Sequence, residues 1–339
     1  MKLENLYICQ TTSHILISCA LSKADDGILI ISSDSFSQTI EDAIKKCFNN
    51  RIFTTQGISF YKKEKKQLIN VRRRINNTVD SIDDLNSVIL FNDVDPISQV
   101  ITTKLGKKCN AHAMLIEEGI GLYRTILIRN SKLLKVFGKL FFGKEYRYIN
   151  RIGESNVVTK ILCSNKELLV GKQKTKEIAE FPKIDYEILR EKCNVNKYYS
   201  KNWFVGQPLV EDGVIENDVY IKFIKELIST NSGKFTIKPH PRETLDKYKG
   251  LLEKGKVEIV ANSDIPFELM IDDTNTTFIY SIYSSALLNF SNRENIKAIY
   301  LYKCFDNLQH KQHLNDTMFE RNNVIVINSL HELPSVIAR

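Results

Sequence analysis

Short aliphatic runs alternate with longer amphipathic stretches along nearly the whole chain, and this rhythm constrains the fold more than any other feature. Residues 6–9, 27–32, 88–91 and 113–116 are strand-like runs, and between them 15–22, 38–49 and 96–105 carry apolar residues at helical spacing. Such alternation predicts βαβ units and a mainly parallel sheet. The rhythm resumes with strands over 202–205, 235–237, 257–260, 277–280, 298–302 and 324–327. Helices are expected between them over 218–229, 244–253, 267–271 and 285–289. Residues 61–83 interrupt the first half and read as an exposed helix with ragged ends. Residues 165–200 are charged, contain Pro182 and lack a clear strand, so the hinge is expected near 185–200. A chain of 339 residues also exceeds one ordinary core, which suggests two domains of roughly 150 residues each. The expected division is 1–190 and 191–339.

Composition narrows the function classes. The seven cysteines are an odd, scattered set with no CxxC and no zinc spacing, which points to reduced thiols in a cytosol and no structural metal. The first residues lack the apolar run of a signal peptide, and no stretch approaches 18 uninterrupted apolar residues, so a cytoplasmic chain that does not span a bilayer is expected. The net charge of +8 is concentrated: residues 122–151 hold eight bases against one acid, Glu145. A second basic run, 62–74, includes Arg72, Arg73 and Arg74. Nucleic acid is set aside as a partner because no recognised module accompanies the charge.

Four constellations fall at predicted strand ends, where open α/β sheets bind ligands. Glu117-Glu118-Gly119 follows the run 113–116. Adjacent carboxylates point in different directions, so one can face a ligand while the other packs or caps, and Gly119 permits an abrupt turn. Lys238-Pro239-His240-Pro241-Arg242 follows the run 235–237. Its prolines stiffen the backbone on both sides of the histidine. Pro266-Phe267-Glu268 places a carboxylate in the first turn of a short helix, fit for ribose hydroxyls or simply for the helix dipole. Tyr283-Ser284-Ser285 opens the helix expected over 285–289, where hydroxyls and N–H groups can cradle a phosphate or form a plain cap. Gln10-Thr11-Thr12-Ser13-His14 is a polar turn after the first strand, a candidate for binding acceptor or a sugar carboxylate. Asp93-Val94-Asp95 reads as a polar strand-end loop, since a metal site would need more oxygen ligands. His112, His310, His313 and His331 read as structural or solvated.

Taken in order, Glu117-Glu118-Gly119, His240-Pro241 and Ser284-Ser285 resemble the three shared signatures of bacterial sialyltransferases, with Pro266-Phe267-Glu268 between the last two. The pattern most resembles glycosyltransferase family 52, the lipooligosaccharide and capsule sialyltransferases, with the polysialyltransferases as neighbours. The resemblance implies a GT-B fold, two Rossmann-like domains facing each other across a cleft. It implies inverting transfer from CMP-sialic acid to a sugar hydroxyl, with no cofactor and no metal. Glu117 would then be the general base and His240 a cationic acid at the departing CMP phosphate. The nucleotide would be bound by Lys238, Pro239, Glu268, Ser284 and Ser285, and the acceptor side by Gln10, Thr11, Thr12, His14, Glu118 and Gly119. The alternatives are another glycosyltransferase of the family, a polyol-phosphate transferase, or a catalytically silent nucleotide-binding scaffold of the envelope.

Within residues 122–151, Leu133, Leu134, Phe137, Leu140 and Phe141 recur at helical spacing, with Lys132, Lys135 and Lys139 to the other side. Such a helix can pack its apolar stripe on the core. It can equally lie on an anionic cytoplasmic leaflet and bring the site to a lipid-linked acceptor.

Overall fold

The computed structural model describes residues 1–31, 36–49, 51–57, 65–123, 132–252, 255–261, 264–282, 284–291, 293–309, 319 and 322–338. These form two compact units, Met1–Asn194 and Val195–Arg339.

The first unit is built on a seven-stranded sheet ordered β3-β2-β1-β4-β5-β6-β7, every neighbouring pair parallel. Its strands are β1 (Lys2–Cys9), β2 (Gly27–Ile31), β3 (Ile52–Thr55), β4 (Asp84–Leu90), β5 (His112–Ile116), β6 (Val158–Cys163) and β7 (Glu177–Glu180). Each residue of β2 is buried, as a parallel strand covered on both faces requires. Among the described residues, six helices accompany the sheet: α1 (Thr12–Leu21), α2 (Gln38–Phe48), α3 (Lys65–Ser81), α4 (Pro96–Cys109), α5 (Lys132–Phe142) and α6 (Tyr186–Cys193). The boundaries of α4 follow local chemistry: Asp95 caps it, Pro96 opens it, and Asn110 ends it in the left-handed conformation.

Several sequence expectations change here. β3, β6 and β7 were not anticipated, because two of them, β3 and β7, are four-residue, half-exposed strands and β6 carries Lys160 in its middle. The strand β7 lies within 165–200, where none was expected. Much of the expected hinge is instead α6, capped by Asp185 and packed against α1 and α2; the division between units falls after Asn194. Helix α3 is not merely exposed, since Val71, Ile75 and Val79 are buried along one face.

The second unit repeats the plan with six parallel strands ordered β10-β9-β8-β11-β12-β13. They are β8 (Asn202–Val205), β9 (Phe235–Lys238), β10 (Val257–Ile259), β11 (Phe278–Ser281), β12 (Lys297–Tyr300) and β13 (Ile325–Val326). Helices α7 (Asn217–Ser229), α8 (Phe267–Met270), α9 (Asp306–Gln309) and α10 (Leu333–Ala338) complete it among the described residues. The α-helices expected over 244–253 and 285–289 are 3-10 segments, Leu245–Leu251 and Ser285–Asn289. In the first, the buried residues Tyr248 and Leu251 stand three apart, a spacing that three-residue winding aligns. Aromatic packing fills the core, with Trp203 edge-on to Phe267 at 5.2 Å.

In both units the strand order reverses beside the first strand, the Rossmann arrangement. This places a ligand-binding crevice at the carboxyl ends of β1 and β4 in one sheet and of β8 and β11 in the other.

Candidate active site

At the carboxyl edge of the first sheet, β1 runs into Gln10 and the cap of α1. The Thr11 hydroxyl accepts from the His14 N–H at 3.2 Å. His14 was expected in a capped loop; it lies instead within α1 and is 1% exposed, its ring stacked on Phe91. The Gln10 N–H donates to His14 Nδ1 at 3.1 Å, which leaves the ring proton on Nε2. That nitrogen lies 2.5 Å from Glu118 Oε2, while the Thr11 hydroxyl donates to Glu118 Oε1 at 3.0 Å. Burial works to raise the Glu118 pKa, but the His14 and Thr11 partners outweigh it and hold it below the ordinary value.

Its neighbour turns the other way. Glu117 Oε2 accepts from the Tyr123 hydroxyl and from the Ser164 N–H, each at 2.6 Å. The Tyr123 oxygen in turn accepts from the Asn165 N–H at 3.0 Å. Glu117 thus ties the end of β5 to the end of β6. Burial raises its pKa above the usual carboxylate value, opposed by those hydrogen bonds. Gly119, at φ +55°, makes the turn that sends the chain into Gly119–Tyr123. Thr12 is the first residue of α1. Gln10 joins the same edge through Asn92 and Ser98 at 3.3 Å.

The Asp93-Val94-Asp95 loop is structural. Buried Asp93 accepts from the N–H groups of Gly153 and Ser155 at 2.8 and 2.9 Å, and Asp95 caps α4 through Ser98.

In the second unit, β9 ends at Lys238, which is 5% exposed and donates to the Pro239 carbonyl at 3.1 Å. Burial lowers the Lys238 pKa to about 8, against the nearby carboxylates of Glu268, Asp264 and Glu243. His240 follows. Its Nδ1 accepts from the Arg242 N–H at 3.1 Å, so the proton sits on Nε2. Burial, with the charges of Arg242 and Lys238, lowers its pKa to about 4. Burial and two neighbouring cations thus oppose the cationic form of His240 expected from the sequence, and the neutral ring prevails at pH 7.

Glu268 stands in the first turn of α8, and Asn289 donates to its Oε1 at 2.8 Å. Burial raises its pKa, opposed by its own backbone N–H, Asn289 and Lys238. Ser284 has taken the plain cap role: its hydroxyl accepts from the Ala286 N–H at 3.3 Å, and its own N–H donates to Ser281 Oγ at 3.0 Å. Ser285 opens the turn and is partly exposed. Lys238, His240, Glu268 and Ser285 thus share the carboxyl edge of the second sheet. Tyr283, His310 and His313 lie outside the described residues.

With this geometry in view, the model of the alpha-2,8-polysialyltransferases (POLYST) matches residues 5–303. The chain belongs to the alpha-2,8-polysialyltransferase family. That is the neighbour of the family its motifs most resemble. Among solved structures, the GT-B domain of a sialyltransferase from Photobacterium damselae is 13% identical, with TM-score 0.52, covering 96% of this chain and all 100% of that one. The kitacinnamycin glycotransferase is 6% identical at TM-score 0.52, covering 96% and 86%. The S. aureus MnaA–UDP co-structure is 8% identical at TM-score 0.51, covering 88% and 79%. At these identities the likeness is one of fold, and the fold is GT-B. No curated protein sequence matches the chain. As a member of a sialyltransferase family with this fold, the polysialyltransferase relative is a glycosyltransferase that takes a nucleotide-sugar donor and a glycan acceptor.

Sequence reasoning passed over Ser164, which is distant in sequence from Glu117 and meets it only through the pairing of β5 with β6, and Tyr123, which the Gly119–Tyr123 turn brings back to it. It also passed over Glu243, for which a signal existed. A glutamate three residues after a turn-opening residue can reach back to that residue's N–H, as in a capping box.

Outside the site, α5 departs from a core-packed stripe. Gly138 faces inward, where an added Cβ would stand 2.0 Å from the Tyr146 ring. Val136 and Leu140 are 64% and 73% exposed, on the same outward side as exposed Lys135 and Lys139. The side chains of Lys132, Leu133, Leu134 and Phe137 lie outside the described residues. Among the described residues, no helix is long and apolar enough to cross a membrane.

Proposed function

We propose that this polysialyltransferase relative is an inverting sialyltransferase, moving sialic acid from CMP-sialic acid to a sugar hydroxyl of a bacterial surface glycan without a divalent metal. One observation carries this reading: at the end of β9, a neutral His240 keeps its proton on Nε2, beside buried Lys238. As the bond from the anomeric carbon to the CMP phosphate breaks, negative charge grows on that phosphate. The Nε2–H donates to it, the Lys238 charge stabilises it, and the phosphate itself raises the affinity of His240 for a further proton.

On the other side of the reaction, Glu117 takes the acceptor hydroxyl's proton as the new oxygen–carbon bond forms. Burial raises its pKa, which suits a general base better than a carboxylate held low. Glu118, held as an anion by His14, lies next to it and supports a cationic transition state. Glu268, oriented by Asn289, accepts from ribose hydroxyls, and Ser285 offers its hydroxyl to the phosphate. Gln10, Thr11, Thr12 and Gly119 line the acceptor side.

The chain is proposed to act at the cytoplasmic face of a membrane. Exposed Val136 and Leu140 among the lysines of α5 form the mixed apolar and basic face that anionic bilayers attract.

Calorimetry with CMP, UDP, GDP and CDP, each with and without chelator, tests the donor. CMP is expected to bind alone and unchanged by chelator, and at about 100 times its Kd to stabilise the fold by about 2.7 kcal/mol. Preference for UDP, or loss of CMP binding with chelator, overturns the assignment.

A further inference from the structure

The loop that carries His240 is held from behind by a buried carboxylate with no part in the chemistry described above. Glu243 Oε2 accepts from the His240 N–H at 2.6 Å, and the Glu243 N–H donates back to the His240 carbonyl at 2.9 Å. Together with the Arg242 N–H on Nδ1, this is the capping-box pattern, with His240 in the capping position. The cap's side chain accepts from the second residue of the turn, and the third residue's side chain reaches back to the cap.

The other oxygen is occupied. Glu243 Oε1 accepts from Lys247 Nζ at 2.7 Å, from the Tyr248 hydroxyl at 2.8 Å and from the Tyr220 hydroxyl at 3.2 Å. The Glu243 side chain is fully buried, and that of Lys247 is 5% exposed. Lys247 lies over the rings of Tyr220 and Tyr248 and also pairs with Glu211 at 3.1 Å. Gly206, at the end of β8, completes the enclosure: a Cβ there would stand 2.2 Å from Glu243 Oε2. Farther out, Arg242 pairs with Asp212 through both guanidinium nitrogens, and Thr244 bonds Glu211.

We infer that Glu243 is the positioning residue that sets both the orientation and the tautomer of His240. This rests on the reading of His240 as the group that meets the leaving phosphate. With the turn clamped, Nδ1 faces the Arg242 N–H and only Nε2 can carry the neutral ring's proton outward. With the turn loosened, the ring can rotate and either nitrogen can hold the proton, so fewer molecules present a donor at the right place.

Glu243→Gln isolates the clamp. The amide oxygen is drawn to Lys247 and the two tyrosine hydroxyls, which turns the NH2 group toward the His240 N–H, donor against donor. The whole chain, labelled with 15N-histidine, is compared as wild type, Glu243→Gln, His240→Gln and Asn231→Ala. The last removes a buried hydrogen bond to Tyr280 elsewhere in the same unit and serves as a control for lost stability.

In the wild type, His240 is expected as a single Nε2–H tautomer. In Glu243→Gln the tautomers should mix and kcat should fall by about 10–100-fold, the scale of an ångström of misplacement, while the donor KM stays near wild type. Asn231→Ala should lose stability yet keep the tautomer and kcat. A single tautomer in Glu243→Gln, or a kcat no lower than that of Asn231→Ala, overturns the inference. If Glu243→Gln fails to fold, the wild-type spectrum decides, and an Nδ1–H form or an even mixture refutes the clamp. A wild-type rate in His240→Gln removes the catalytic role of His240 itself, and the tautomer spectra still decide whether Glu243 holds the ring.

Discussion

Gly206→Ala puts the packing behind His240 to a severe test. The new Cβ would lie 2.2 Å from Glu243 Oε2 and 3.0 Å from the Tyr248 hydroxyl. The carboxylate cannot simply swing aside, because its other oxygen is held by Lys247, Tyr248 and Tyr220. Overpacking of this kind costs about 1–3 kcal/mol, and displacing Oε2 forfeits a charged hydrogen bond to the His240 N–H of about 1.5–3 kcal/mol. The expected loss is therefore about 2.5–6 kcal/mol. Gly250→Ala is the matched control, since nothing lies within 4 Å of its added Cβ and its backbone is outside the left-handed region. It should be neutral or stabilising by up to about 1 kcal/mol. Urea unfolding followed by tryptophan fluorescence reads the second unit specifically, because the single tryptophan, Trp203, is buried in β8. A lower midpoint at unchanged slope is the expected result for Gly206→Ala. Midpoints for the two variants that coincide would refute the enclosure of Glu243.

The acidic pair is separated by substitution: Glu117→Gln should lower transfer by about 10²–10⁴-fold with CMP binding intact, and a larger loss in Glu118→Gln would exchange their roles. Protonation of His240 should be visible in stability. Its folded pKa, lowered to about 4 from 6.5, means the unfolded chain takes up the proton first as pH falls. Its contribution is present above pH 6.5 and is lost between 6.5 and about 4, so wild type should lose stability relative to His240→Gln across that window in acid-range unfolding curves. For the membrane face, co-sedimentation with anionic vesicles should weaken with salt and with Val136→Asp plus Leu140→Asp, while transfer to a soluble acceptor persists. Equal recovery on neutral vesicles, or none on either, would refute docking through α5.

What the chain's order of residues determined was the class of fold and the places where chemistry could sit. Period-two and period-3.6 patterning is local, so the βαβ rhythm of β1, β2, β4 and β5, and of the core strands of the second unit, is written in short windows. The strand-end motifs follow from it, since a parallel sheet puts its loops at one edge. Tertiary structure decided what each side chain there does. Glu117 and Glu118 are adjacent and chemically identical in sequence. Only the pairing of β5 with β6 brings Ser164 to one, and only the packing of α1 brings His14 to the other. His240 likewise reads as cationic from its motif, although Lys238 and Arg242 flank it in sequence; burial, added to those two charges, disfavours its own, and the reach of Glu243 fixes which nitrogen carries its proton. Short edge strands such as β3 and β7 escaped notice for the same reason. Their few residues carry little pattern of their own, and neighbouring strands supply the hydrogen bonds that hold them extended.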